Sequence, residues 1–178
     1  MSYPGVFETN IYGNTVNGSL WTLPYEFTCY VGIAMLHFVF VLKNKYVYAG
    51  AYLLYFTIGN YLLSSGWRDA VIPYLDLSFS FLFTLSMYFG AGALFYHFQD
   101  KISYKWSIAL GLLVLMAIGN YFYLVTFTSY FCLPYLVFWF VFEKRIGVSN
   151  VGKYGDFSYG MYIYAFPVQQ TIAHFIGE

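Results

Sequence analysis

Long apolar runs, separated by short polar breaks, recur along almost the whole chain. A helix that crosses a bilayer needs about 20 mostly apolar residues, and the pattern predicts six of them. The first runs from Leu20 to Leu42, broken only by Glu26 and His37. The second runs from Tyr46 to Leu63 and the third from Leu77 to Phe98. An uncharged run from Trp106 to Phe142 is too long for one crossing, at about 1.5 Å per residue against a hydrocarbon core of about 30 Å. It is expected to turn back between Gly119-Asn120 and Ser129, where polar and glycine residues collect, giving the fourth and fifth spans. The sixth runs from Phe157 to Ile176. The expected fold class is all-α, a multi-pass transmembrane bundle of about six spans.

The charges provide an independent test of that count. Six spans place Lys43, Lys45, Lys101, Lys105, Lys144, Arg145 and Lys153 on one side and only Arg68 on the other. Cytoplasmic loops are rich in Lys and Arg, so the first side is assigned to the cytoplasm and both termini to the non-cytoplasmic side. Residues Met1 to Gly5 have neither the basic nor the apolar region of a signal peptide. An odd number of spans is therefore expected ahead of Met1. Residues 1–178 then read as a single membrane domain, the back half of a longer protein in the cell membrane. Tyr and Trp gather near the expected helix ends, at Trp21, Tyr25, Tyr46, Trp67, Tyr74, Tyr104, Trp106 and Tyr154, as at a headgroup layer.

Composition narrows the class further. The 178 residues are 60% hydrophobic, 25% aromatic and 9% charged, with no net charge. Soluble domains carry about 25% charged residues, so a soluble globular reading is excluded. The basic residues are dispersed, which argues against a nucleic-acid partner. Cys29 and Cys132 lie in apolar runs and read as packing residues rather than a disulfide. No metal-ligand spacing, Walker loop or dinucleotide fingerprint occurs.

Two stretches carry candidate chemistry. In Asn17-Gly18-Ser19-Leu20-Trp21-Thr22-Leu23-Pro24-Tyr25-Glu26-Phe27, Pro24 suits a first helical turn. Glu26 follows within about a turn. A carboxylate in a membrane helix is costly and marks a functional site by default. Near the interface it can equally stabilise the positive helix N-terminus, and both readings stand. Thr22 and Tyr30 lie four residues either side of Glu26 and share its face. The second stretch runs from Gly152 to Gln170. Asp156 is a candidate N-cap, and Gly160 allows close helix approach. Pro167 should free the carbonyl of Ile163. Gln169 and Gln170 place amides at membrane depth, either packing helices or lining a cavity. His37 is read as deep in the first helix, His97 near the cytoplasmic end of the third and His174 near the outer end of the sixth. All three are read as packing or interface residues, and no two are placed to converge on one acceptor with Glu26.

These stretches resemble the acyltransferase 3 family of membrane O-acyltransferases. The family's mid-chain signature is similar to Asn17 to Glu26. Its last-helix signature is similar to Gly155 to Pro167, with Phe157 as one inserted position. Phe89-Gly90-Ala91-Gly92-Ala93 resembles a small-residue patch between them. The resemblance implies transfer of an acyl, chiefly acetyl, group from acyl-CoA (a co-substrate, with no tightly bound cofactor) to a sugar hydroxyl of a glycan or glycolipid. It implies Glu26 as a carboxylate that orients a histidine base. It also implies an acceptor pocket shaped by Asn17, Ser19, Trp21, Thr22, Tyr30, Tyr159, Tyr162 and Gln169.

The family's catalytic histidine, about ten residues after a basic residue in its first helix, has no counterpart here. A partner chain carrying those helices is the expected complement. The alternative expectation is a non-catalytic membrane module in glycan or lipid transport or scaffolding.

Overall fold

The structure, a computed structural model, describes residues 5–11, 13–39, 43–143, 153, 155 and 157–176. The six described α-helices are α1 (Leu23–Phe38), α2 (Lys45–Ser64), α3 (Phe79–Phe98), α4 (Trp106–Tyr121), α5 (Val125–Phe142) and α6 (Ser158–Ile176). Lys144, Arg145, Gly152, Tyr154 and the expected cap Asp156 lie outside the described residues, as do residues 40–42 at the expected end of the first helix. Two compact units divide the chain: Met1–Pro24 with Val151–Glu178, and Tyr25–Asn150.

The long uncharged run does fold back. Phe122, Tyr123 and Leu124 separate α4 from α5, and Tyr123 takes a φ of 58°. The Leu124 amide donates to the Gly119 carbonyl at 2.6 Å, which tightens the bend. Gly119 is required there, because a Cβ would lie 2.6 Å from the Thr128 hydroxyl. The third helix begins later than the apolar pattern predicts. Leu77–Ser78 instead pairs antiparallel with Val71–Ile72, in the register Val71 to Ser78 and Ile72 to Leu77. The all-α expectation omits this small hairpin. Tyr74 and Asp76 turn it with φ values of 68° and 52°. Asn44 starts α2 as an N-cap, its side chain accepting from the Tyr46 and Val47 amides.

Within the central unit, Tyr52, Phe83, Met87, Ala91 and Tyr130 form one buried cluster across α2, α3 and α5. Phe83 sits against Gly59, where a Cβ would collide with its ring. Gly90 of the small-residue patch admits the Tyr52 ring at 2.8 Å from the position of a Cβ. The tyrosine hydroxyls in this apolar setting find backbone acceptors, as a buried polar group must. Tyr48 donates to the Gly90 carbonyl and Tyr52 to the Met87 carbonyl, each at 3.0 Å. A second cluster joins Ala109, Tyr135 and Trp139. There the Tyr135 hydroxyl donates to the Ser103 carbonyl at 2.8 Å and accepts from the Lys105 amide at 3.1 Å. Cys29 and Cys132 are both buried and free.

Among the described residues, two helices are long and apolar enough to cross a membrane. They are α3 with its 3-10 extension to Lys101, 23 residues at mean hydropathy 1.4, and α5, 18 residues at 1.6. The apolar α4 is shorter.

Candidate functional site

The terminal unit is built around α6 and the 3-10 helix Ser19–Thr22. Pro167 lies inside α6 and has no N–H, so the Ile163 carbonyl four residues earlier lacks its helical donor. The Asn17 side-chain amide donates to that carbonyl at 2.7 Å, across 146 residues of sequence. Its oxygen accepts from the Ser19 amide at 2.9 Å, which shapes the turn into the 3-10 helix. Asn17 is 7% exposed, so its amide replaces the missing proline N–H inside a nearly dry setting.

Three further contacts extend this seam. The Tyr162 hydroxyl donates to the Ser19 carbonyl and also bonds the Thr22 hydroxyl. A Cβ on Gly18 would lie 2.7 Å from the Phe166 ring, so the glycine allows the close approach. The Gln170 amide nitrogen donates to the Thr15 carbonyl at 2.7 Å, while Asn10 donates to the Gln170 carbonyl at 2.8 Å and to its side-chain oxygen at 3.1 Å. Tyr162, Ile163, Phe166 and Gln170 lie one, three and four residues apart, so one stripe of α6 makes all these contacts.

The expected site residues therefore separate. Asn17, Ser19, Thr22 and Tyr162 meet in one hydrogen-bonded cluster. Trp21 and Tyr159 are exposed, and so is Gln169, one position off the contact stripe. Gln170, at 5% exposure, is the glutamine tied into the seam. In the central unit Glu26 lies in the first turn of α1, half-buried. Tyr30, one turn on, packs edge-on against Phe89 at 5.2 Å.

The histidines are arranged differently from the expectation. α1 ends at Phe38, so His37 occupies its last turn rather than a deep position. His97 occupies the last turn of α3, and both line one cavity of about 610 Å³ together with Lys43. Sequence spacing could not show this, because the two helices meet only through tertiary packing. The one available signal was that both histidines approach the basic loops. His174 packs edge-on against Phe7 at 5.7 Å. Among the described residues, no group of three or more His, Cys, Asp or Glu is placed to hold a metal ion.

These features define a mostly helical protein with, among the described residues, two helices fit to cross a membrane and a polar seam joining two distant motifs. The chain is 32% identical over 161 residues to a protein named O-acetyl transferase from Shigella phage Sf6. The match covers 88% of this chain and 46% of that relative, so the chain spans about half the relative's length. No family model and no solved structure matches the chain.

Proposed function

We propose that this chain is part of an integral membrane O-acyltransferase that moves an acetyl group from acyl-CoA to a sugar hydroxyl of a cell-surface polysaccharide or glycolipid. The likeness to the phage O-acetyl transferase along 161 residues carries the reading. Membrane integration is supported by the apolar side chains that α4 and α5 leave exposed, among them Leu110, Leu113, Val114, Phe131, Val137 and Phe140. Such surfaces in water are rare on a monomeric protein; against lipid tails they carry no such penalty.

The chemistry follows from the reactants. The sugar oxygen attacks the thioester carbonyl carbon, a base takes the hydroxyl proton, and the C–S bond breaks to release the coenzyme thiol. A positioned histidine is the usual base for such a step. The resemblance to acyltransferase 3 implies a base carried by helices outside residues 1–178, on the same polypeptide or on a partner chain. Glu26 would orient it from the first turn of α1.

Radiolabelled acetyl transfer to a mixed glycan pool, in membranes that also hold the histidine-bearing helices, tests this. Glu26→Gln is expected to lower turnover by about 100-fold or more while insertion is retained. Near-normal turnover would remove Glu26 from the mechanism. The 178-residue chain by itself is expected to transfer nothing above background. Transfer that disappears in His37→Ala, His97→Ala or His174→Ala would place the base in this chain instead. Single cysteines at Asn14, Asn44, Ser65 and Ser103 report the orientation. Asn44 and Ser103 should resist impermeant reagents in intact cells, and labelling of Asn44 from outside would reverse the assignment.

A further inference from the structure

The cavity at the ends of α1 and α3 has a chemistry that the acetyl-acceptor reading does not use. His37 and His97 come to it from the last turns of the two helices, and Lys43 from the segment that follows α1. Tyr30 and Tyr96 add two phenols, and among the described residues no carboxylate lines it. Ile33, Phe89 and Ala93 complete an apolar wall. Its volume of about 610 Å³ falls within the range of about 300–1,000 Å³ typical of small-molecule sites. A second cavity, of about 420 Å³, shares Ile33 and Phe89 with it and continues along Gly32, Met35, Tyr52 and Gly90. One end is cationic and donor-rich, and the rest is apolar.

We propose that this pocket is a phosphate-ester site, in which His37, His97 and Lys43 hold the phosphoryl oxygens and the Ile33–Phe89 wall holds the chain the phosphate carries. An ammonium bonds a phosphoryl oxygen strongly because the bond is charge-assisted, and each imidazole offers a ring N–H as a further donor. The shared apolar residues give an attached chain a continuous surface. A lipid headgroup and the phosphates of a coenzyme thioester present the same chemistry to these donors. The membrane setting is taken from the proposed function, but phosphate binding requires no acetyl transfer, so either can fail without the other.

The test uses the full chain purified in a neutral detergent. One arm titrates coenzyme A. The other titrates short-chain phosphatidylglycerol against phosphatidylcholine. Saturable binding is expected for at least one anionic probe. It should weaken about tenfold or more in H37Q/H97Q and in K43Q, and stay unchanged in K105Q, a lysine outside the pocket. Lys43 lies outside the α-helices, so K43Q keeps the test valid if the double variant fails to fold. Binding of coenzyme A identifies a soluble donor as the source of the phosphate, and selective binding of phosphatidylglycerol identifies a lipid headgroup. Absence of saturable binding to both probes, or binding that K43Q and H37Q/H97Q leave intact, would overturn the proposal.

Discussion

In the central unit, Phe83 and Met87 are fully buried, and rings from α2, α3 and α5 pack at centroid distances of 4.9–6.4 Å. In the terminal unit, hydrogen bonds dominate the contacts that cross the chain, beside the ring contacts Gly18–Phe166 and Phe7–His174. Asn17, Tyr162, Gln170 and Asn10 each reach a backbone group more than 140 residues away. The contrast follows from the kind of helix each unit contains. α3 and α5 are mostly apolar, so packing of rings into glycine notches joins a few short hydrogen bonds between helices, among them Tyr48 to Gly90, Tyr52 to Met87 and Tyr88 with Ser129. α6 carries a proline and a buried glutamine, so its stability depends on who pairs with the groups they expose. The two units should therefore respond to different kinds of substitution.

The largest effect is expected in the aromatic core. Gly59→Ala should lower stability in detergent by about 1–3 kcal/mol, because Phe83, fully buried, has nowhere to move. Gly111→Ala, where a Cβ meets nothing within 4 Å, should be neutral or stabilising by up to about 1 kcal/mol. Equal losses at both positions in thermal unfolding would mean that notch packing does not distinguish the core. In the terminal unit, Asn17→Asp sets a carboxylate oxygen against the Ile163 carbonyl. It should cost about 1–3 kcal/mol, with the aromatic core unaffected by near-ultraviolet circular dichroism. Tyr52→Phe removes one hydroxyl bond to Met87 and should cost about 0.5–1.5 kcal/mol, less than Gly59→Ala if packing dominates that unit. Gln169→Leu should stay within about 0.5 kcal/mol. A loss as large as that of Gln170→Leu would show that the contact stripe on α6 is drawn wrongly.

What the sequence made legible was local. The bend near residues 122–124 follows from the length of an uncharged run, and the orphaned Ile163 carbonyl follows from Pro167 four residues on. Asn17 as its partner was hidden, because nothing local connects positions 146 residues apart. The choice of Gln170 over Gln169 rests on which stripe of α6 faces Gly18 and Thr15, again a tertiary fact. The hairpin at Val71–Ile72 and Leu77–Ser78 is too short to leave an alternating pattern. The expected first helix overshot Phe38 because the residues after it stay apolar to Leu42, and this is why His37 read as deep.

The claim on which the terminal unit rests is that Asn17 stands in for the N–H that Pro167 lacks. A double-mutant cycle of Asn17→Ala and Pro167→Ala, followed by thermal unfolding of the full chain in detergent, tests it directly. Asn17→Ala alone should cost about 1–3 kcal/mol by stranding the Ile163 carbonyl. Alanine at 167 restores an N–H to that carbonyl, so in the Pro167→Ala background the same change should cost less by about 1 kcal/mol or more. An Asn17→Ala penalty that is the same in both backgrounds would contradict the account.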